Sequence, residues 1–333
     1  MKFGLTPIDE AEGAVLAHGV RIDGVAFKKG DLLTPERRSA LAAAGVTSVV
    51  AARLEPGDVD ENVAALKLAG RLAGANLRLS APFTGRVNLF AERAGLAVIE
   101  AEAIDRVNAV DEAITVATLP RYRAVTDGDM VATVKIIPFA TEALTLEAAL
   151  AAAPAAAVSV TPFKPMRIGV VSTTLPGLKP SIVAKTLRVL EARLAPAGAR
   201  IVSQEIVPHE VGPLAKALAR MIDGADALIA FGASAITDRR DVIPAAIEAI
   251  GGRIERFGMP VDPGNLLLLA ERYGTPIIGA PGCARSPKEN GFDWVLERML
   301  AGVPIHDRDI RAMGVGGLLM EIASRPQPRA PGD

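Results

Sequence analysis

The second half of this sequence predicts an α/β fold, a mostly parallel sheet with helices on both faces, and the first half predicts an α+β domain before it. Three observations carry this. From Arg167 onward, short apolar runs alternate with helical patterns, as in successive βαβ units. In the first half, Ile114-Thr115-Val116-Ala117-Thr118-Leu119 and Met130 to Ile137 alternate with the period of half-buried antiparallel strands. Between the halves, Ala151-Ala152-Ala153-Pro154-Ala155-Ala156-Ala157 and Thr161-Pro162-Phe163-Lys164-Pro165 have the small side chains and prolines of a connector. The expected boundaries are therefore an accessory domain over 1–150, a linker over 151–165, the α/β domain over 166–320 and a flexible tail over 321–333 rich in Pro and Arg.

Taken in order, Lys28-Lys29-Gly30-Asp31 reads as a turn, Pro35 to Ala44 as a helix closed by Gly45, and Val46 to Val50 as a strand. A helix is expected over Asp58 to Leu72, and the polar positions Asn76, Arg86, Asn88 and Asn108 are either cleft-lining or turn residues. The second half reads as strand Arg167–Ser172, helix Ser181–Leu194, strand Arg200–Val207, helix Pro213–Ile222 and strand Ala225–Phe231. Helix Ile243–Ile250, short strand Pro276–Gly279 and helix Phe292–Leu300 complete the series. Ligands of such sheets bind beyond the carboxyl ends of the strands. Three strand ends are thereby candidates: Ser172-Thr173-Thr174, Gly232 to Asp241, and Gly279 to Ser286.

The most informative stretch runs from Phe231-Gly232-Ala233-Ser234 to Asp241-Val242-Ile243-Pro244. It reads as a strand, a small-residue turn and a helix start. Small residues there let a ligand approach the backbone, and the first amides of a helix favour an anion such as phosphate. Asp238 and Asp241 would repel a bare phosphate, which suggests a divalent cation or a proton acceptor beside it; helix capping is the alternative for each.

The chain has 333 residues, half of them hydrophobic, and a net charge of −1. Mixed charge of this kind predicts no nucleic-acid footprint and no polybasic membrane anchor, so a small molecule is the expected partner. A single cysteine, Cys283, excludes an intramolecular disulfide framework, and His18, His209 and His306 show no metal-ligand spacing. No segment has the apolar length of ~20 residues that a membrane span needs, and a cytoplasmic protein is expected. Gly314-Val315-Gly316-Gly317 reads as a turn near the C-terminus.

Over roughly Met166 to Val303 the residues resemble the molybdopterin-binding domain shared by the MoaB/Mog and MoeA proteins of molybdenum cofactor biosynthesis. The strand from Ile168 to Thr173 is similar to that family's opening strand. Gly232-Ala233-Ser234 followed by Arg240-Asp241-Val242-Ile243-Pro244 resembles its Gly-Gly-Ser/Thr turn and downstream Arg-Asp-Val-Thr-Pro, Pro263-Gly264 its first Pro-Gly, and Gly279-Ala280-Pro281-Gly282 its Gly-Leu-Pro-Gly turn. In the first half, Lys28 to Val50 resembles a segment of the MoeA accessory domain, and Asp23-Gly24-Val25-Ala26 part of an Asp-Gly-Tyr-Ala motif.

The resemblance implies a homo-oligomer that binds molybdopterin or a related small anionic ligand and works with other cofactor-assembly proteins. Adenylyl transfer or molybdate insertion would use Mg²⁺, with ATP for the first. It implies Asp241, Asp238 and Glu210 as catalytic residues, with Asp241 on Mg²⁺. Ligand contacts would come from Ser172, Thr173, Gly232, Ala233, Ser234, Pro263, Gly264, Gly279, Pro281, Gly282, Arg285 and Ser286. The chain also departs from the family pattern. Phe231 stands at its first glycine, Pro208-His209-Glu210 at its acidic pair, Asn265 where lysine is common and Cys283 where asparagine is usual. Two alternatives stay open: a non-catalytic carrier of molybdopterin or the finished cofactor, and a nucleotide pyrophosphatase of the kind found in competence-associated proteins.

Overall fold

A computed structural model describes residues 1–22 and 25–319. Asp23 and Gly24 of the Asp-Gly-Val-Ala segment lie outside the described residues, as does the expected tail over 321–333. The chain divides into two compact units, residues 1–93 with 97–161 and residues 94–96 with 162–333. No helix among the described residues is long and apolar enough to cross a membrane.

The N-terminal unit has two apolar cores. The smaller gathers Leu16, Leu33, Leu41 and Val49. It includes the helix Pro35–Ala43, started by Thr34, whose hydroxyl accepts the Arg37 amide, and by a proline at its first position. The larger lies beneath a four-stranded antiparallel sheet in the order Ile114–Thr118, Met130–Ile136, Arg86–Ala91, Leu77–Leu79. Helix Glu61–Leu72 packs there through Ala64, Ala65, Leu68, Ala69 and Leu72, and Asp60 caps it by accepting from Asn62 and Val63. The segment read as a connector contains a strand, Val158–Pro162, in which Val160 donates to Ala75 and Val158 accepts from Gly74. Paired backbone there outweighs the connector-like composition.

In the C-terminal unit we number the elements β1 (Arg167–Thr174), α1 (Pro180–Leu194), β2 (Arg200–Pro208), α2 (Val211–Met221), β3 (Ala227–Phe231), α3 (Val242–Ala249), β4 (Arg253–Phe257), β5 (Leu268–Arg272), β6 (Thr275–Ala280), α4 (Gly291–Ala301) and α5 (Asp307–Arg311). The sheet order is β2-β1-β3-β6-β5-β4. Strands β2, β1, β3 and β6 are mutually parallel, whereas at one edge β5 runs antiparallel to β6 and β4 antiparallel to β5. The sheet is thus mixed where a mostly parallel one was expected. The reason is a hairpin: Tyr273 and Gly274 both take positive φ (51° and 82°) and return β5 directly into β6.

Alternation along the central strands puts one core on each face. Ile168 and Val170 of β1 and Ala227, Ile229 and Phe231 of β3 pack with Leu190 and Leu194 of α1 and Phe292, Val295 and Leu296 of α4. Val171, Leu228 and Ala230 face Leu214 and Leu218 of α2 and Ile243 and Ile247 of α3. α1 leads from β1 to its neighbour β2 on one face, and α2 crosses back on the other face from β2 to β3 on the far side of β1, so the strand order reverses between β1 and β3. Crevices form at such a reversal, beyond the carboxyl ends of the strands.

Candidate functional site

The four parallel strands end in register. Thr174 pairs with Pro208, Ser172 with Phe231, and Phe231 with Ala280. At the reversal, the Thr173 hydroxyl accepts the Ala233 amide at 2.8 Å and shares a hydrogen bond with His209 Nδ1 at 2.8 Å. His209 itself is anchored by its amide to the Thr174 carbonyl. Thr173 and Ser172 are buried, so the strand end is a fixed polar platform. Gly232 is required there, since a Cβ would come within 2.6 Å of the Ser234 carbonyl oxygen. The next amides, of Ser234 and Ala235, make no hydrogen bond among the described residues.

Arg285 enters from the 3-10 turn Gly282–Arg285 that follows β6. Its guanidinium donates to Thr186 Oγ1 of α1 at 2.7 Å and to the Gly232 carbonyl at 2.9 Å, and it lies 5.4 Å from the Phe231 ring centre. Thr186 in turn donates to the Ile182 carbonyl. Among the described residues no carboxylate pairs with Arg285, and burial alone pushes its pKa below the ordinary arginine value. Each partner uses one N–H of a fork that has five, which leaves donors for a guest. The half-buried Arg285 is thus a pre-positioned cation held by neutral groups.

The loop that carries it is fixed from beneath. Arg193 of α1 donates to the carbonyls of Ala284 (2.8 Å) and Ser286 (2.7 Å) and pairs with Asp293. Asn290 and Asp293 form a capping box at the start of α4. Pro263 accepts the Gly291 amide, and Gly264 sits so close to Gly291 that a Cβ would lie 2.8 Å from its nitrogen. Pro263-Gly264 thereby supports the start of α4. Gly279 makes room for Ile236, whose Cδ1 would lie 2.9 Å from a Cβ there. Pro281 is buried, Gly282 is exposed, and Ser286 is half-buried. The structure therefore links Thr173, Gly232, Ala233 and Arg285 directly, and places Gly279, Pro263 and Gly264 in the support. Thr186 and Arg193 were missed in the sequence. Thr186 had one signal, a hydroxyl within the apolar stripe Val183, Leu187, Leu190, Leu194.

Two of the three candidate acids are engaged otherwise. Asp241 caps α3, with Oδ1 accepting from Val242 at 2.8 Å and Oδ2 from Thr237 at 3.2 Å. The first amide of α3 is thus already satisfied. Asp238 is exposed and bound by Arg240, whose side-chain and backbone hydrogen bonds hold its carboxyl at about 2. Glu210 occupies the N-cap position of α2 without a side-chain cap bond and is exposed. No group of three or more His, Cys, Asp or Glu among the described residues is placed to hold a metal ion. These donors do not fit Mg²⁺ as a preformed site, because Asp241 is committed to amides and Asp238 to an arginine, and Glu210 belongs to no group of metal-ligating side chains among the described residues.

Residues 168–303 match a family model described as a probable molybdopterin binding domain. A second model, of a domain of unknown function, matches residues 5–53. No curated protein matches the sequence. Among solved structures, the chain is similar to a molybdopterin biosynthesis MoeA protein from Pyrococcus horikoshii, at 14% identity and a TM-score of 0.30, over 93% of this chain and 75% of that one. It is also similar to a molybdopterin biosynthesis enzyme MoaB from Thermus thermophilus, at 19% identity and a TM-score of 0.28, over 42% of this chain and 98% of that one. MogA matches at 17% identity and a TM-score of 0.30, over 41% of this chain and 96% of that one.

Proposed function

We propose that the C-terminal unit is a molybdopterin-binding module of molybdenum cofactor biosynthesis, which holds the phosphate end of its ligand at the reversal between β1 and β3. The observation that carries this reading is the half-buried Arg285, which has no carboxylate partner among the described residues and lies against the Gly232 turn of the family-matched segment. A buried cation without a counter-ion costs free energy unless an anion completes it. The Ser234 and Ala235 amides, which follow the Gly232 turn, and the Ser286 hydroxyl, which follows Arg285 in the chain, are the neutral donors offered to the ligand, and charge-assisted bonds from Arg285 give the strongest contact. Thr173 and His209 fix the floor of the same crevice.

The test is an anaerobic titration of the full chain with molybdopterin, with pyrophosphate release followed when Mg²⁺ and ATP are added. Saturable binding that Ser234→Trp removes, with the thermal melt unchanged, supports the reading, since indole bulk blocks the turn without touching either core. Wild-type binding by Ser234→Trp contradicts the placement of the site. Binding without pyrophosphate release makes the protein a carrier; release extends the reading to adenylyl transfer.

A further inference from the structure

At the β1/β3 reversal Arg285 is a fixed positive charge, and two of the three candidate acids are spent on other work, while the third, Glu210, is exposed and caps nothing. Asp241 satisfies two amides, Asp238 is locked to Arg240, and the Thr173 hydroxyl faces an imidazole, His209. A divalent ion at a phosphate site has two jobs: to neutralise the anion and to fix its oxygens. A guanidinium does both when its fork is held rigid, because it carries a permanent charge and several coplanar donors. Arg285 is held on three sides, by Thr186 Oγ1, the Gly232 carbonyl and the face of Phe231. Phe231 and Thr186 are both fully buried and cannot yield.

We propose that this site takes its phosphate-bearing ligand without a metal ion, with Arg285 as the resident cation in the place of Mg²⁺ and Asp241 as a structural cap. The inference rests on the functional reading above and deepens it. It makes the site one that retains and presents a phosphomonoester, since nucleotidyl transfer would need the divalent ion to screen two phosphates from each other. The ligand class is a phosphomonoester; inorganic phosphate presents the same terminal oxyanions without the ester, and phosphate should compete.

The experiment is anaerobic calorimetric titration of the full chain with molybdopterin, in EDTA and in excess Mg²⁺, for wild type and for Arg285→Gln, Arg285→Lys and Asp241→Asn. The expected result is the same Kd in both buffers. Arg285→Gln should weaken binding about tenfold or more, the worth of a hydrogen bond to a charged group. Competition by inorganic phosphate and the fall in affinity with salt should disappear in that variant, whereas a purely structural loss would leave both intact. Arg285→Lys should keep the salt dependence at reduced affinity, which guards against a folding artefact. Asp241→Asn should bind as wild type does, because asparagine also caps helices. Tighter binding in Mg²⁺, loss of binding in Asp241→Asn, or wild-type phosphate competition in Arg285→Gln overturns the inference and leaves the functional reading standing. Absence of saturable binding in both buffers overturns that reading and the inference with it.

Discussion

Each unit holds a half-buried basic side chain, Lys135 in one and Arg285 in the other, and these two are treated in opposite ways. In the N-terminal unit Lys135 donates to the carbonyls of Thr84 (2.6 Å) and Ile136 (2.5 Å) and lies 3.5 Å from the Glu61 carboxylate. Both charges are well covered, and burial raises the Glu61 pKa in spite of the lysine beside it. The polar neighbours are equally committed. Asn76 donates to the Val160 carbonyl, Asn108 both donates to and accepts from Val116, and Arg86, Thr133 and Asn88 form a hydrogen-bonded chain. In the C-terminal unit Arg285 meets only neutral groups among the described residues. A buried charge that is paired within the protein serves the fold, whereas one left for an outside partner marks a site.

The contrast can be broken from either side. The largest effect is expected from Gly85→Ala. Gly85 has φ of +69°, and a Cβ there would lie 2.5 Å from Glu61 Oε2, 2.7 Å from the Ile136 carbonyl oxygen and 2.9 Å from Lys135 Nζ. Forcing that cluster apart should cost about 2 to 4 kcal/mol in denaturant unfolding, with ligand affinity in the folded protein unchanged. A loss of affinity there would place the N-terminal cluster in the site.

A smaller effect is expected from Asp241→Ala, which removes the cap of α3. It should lower stability by about 1 kcal/mol, and Asp241→Asn should recover most of it. Full stability in the alanine variant would contradict the capping role. The smallest effect concerns Asp238. Its carboxyl is held below the ordinary value of 3.8, at about 2, by Arg240. The sign follows from linkage: the contribution is present above pH 3.8 and is lost as pH falls toward 2. Because the pair is exposed, solvent screens it. Asp238→Asn should leave the neutral-pH melt unchanged and flatten its acid limb only slightly; a large shift at neutral pH would show a coupling that the exposed pair does not explain.

Sequence patterning was enough to find the elements that flank the site. The strand at Arg167, the helix ending at Leu194 and the strand ending at Phe231 were legible because their apolar periods match their burial. β4 and β5 were not legible. Arg253 to Phe257 alternates charge with apolar residues at a sheet edge, and Leu266-Leu267-Leu268-Leu269-Ala270 is uniformly apolar, which fits a helix as well as a strand. Tyr273-Gly274 was the available hairpin signal. At the site, the order of Gly232, Pro263-Gly264 and Gly279-Pro281-Gly282 was visible, but their division of labour was not. Whether a glycine faces a ligand or a packed neighbour, as Gly264 faces Gly291, depends on contacts distant in sequence. The same holds for Arg285, whose lack of a carboxylate partner is a property of the folded surroundings.

The central claim, that the ligand is held where β1 and β3 diverge, is tested most directly by amide hydrogen exchange of the full chain with and without molybdopterin under anaerobic conditions. The account predicts that protection on binding gathers at residues 232–237 and 282–286, at and beside the unpaired turn amides, while the Lys135–Glu61 region is unchanged. Protection centred on residues 84–90 and 133–136, with none at 232–237, would contradict it.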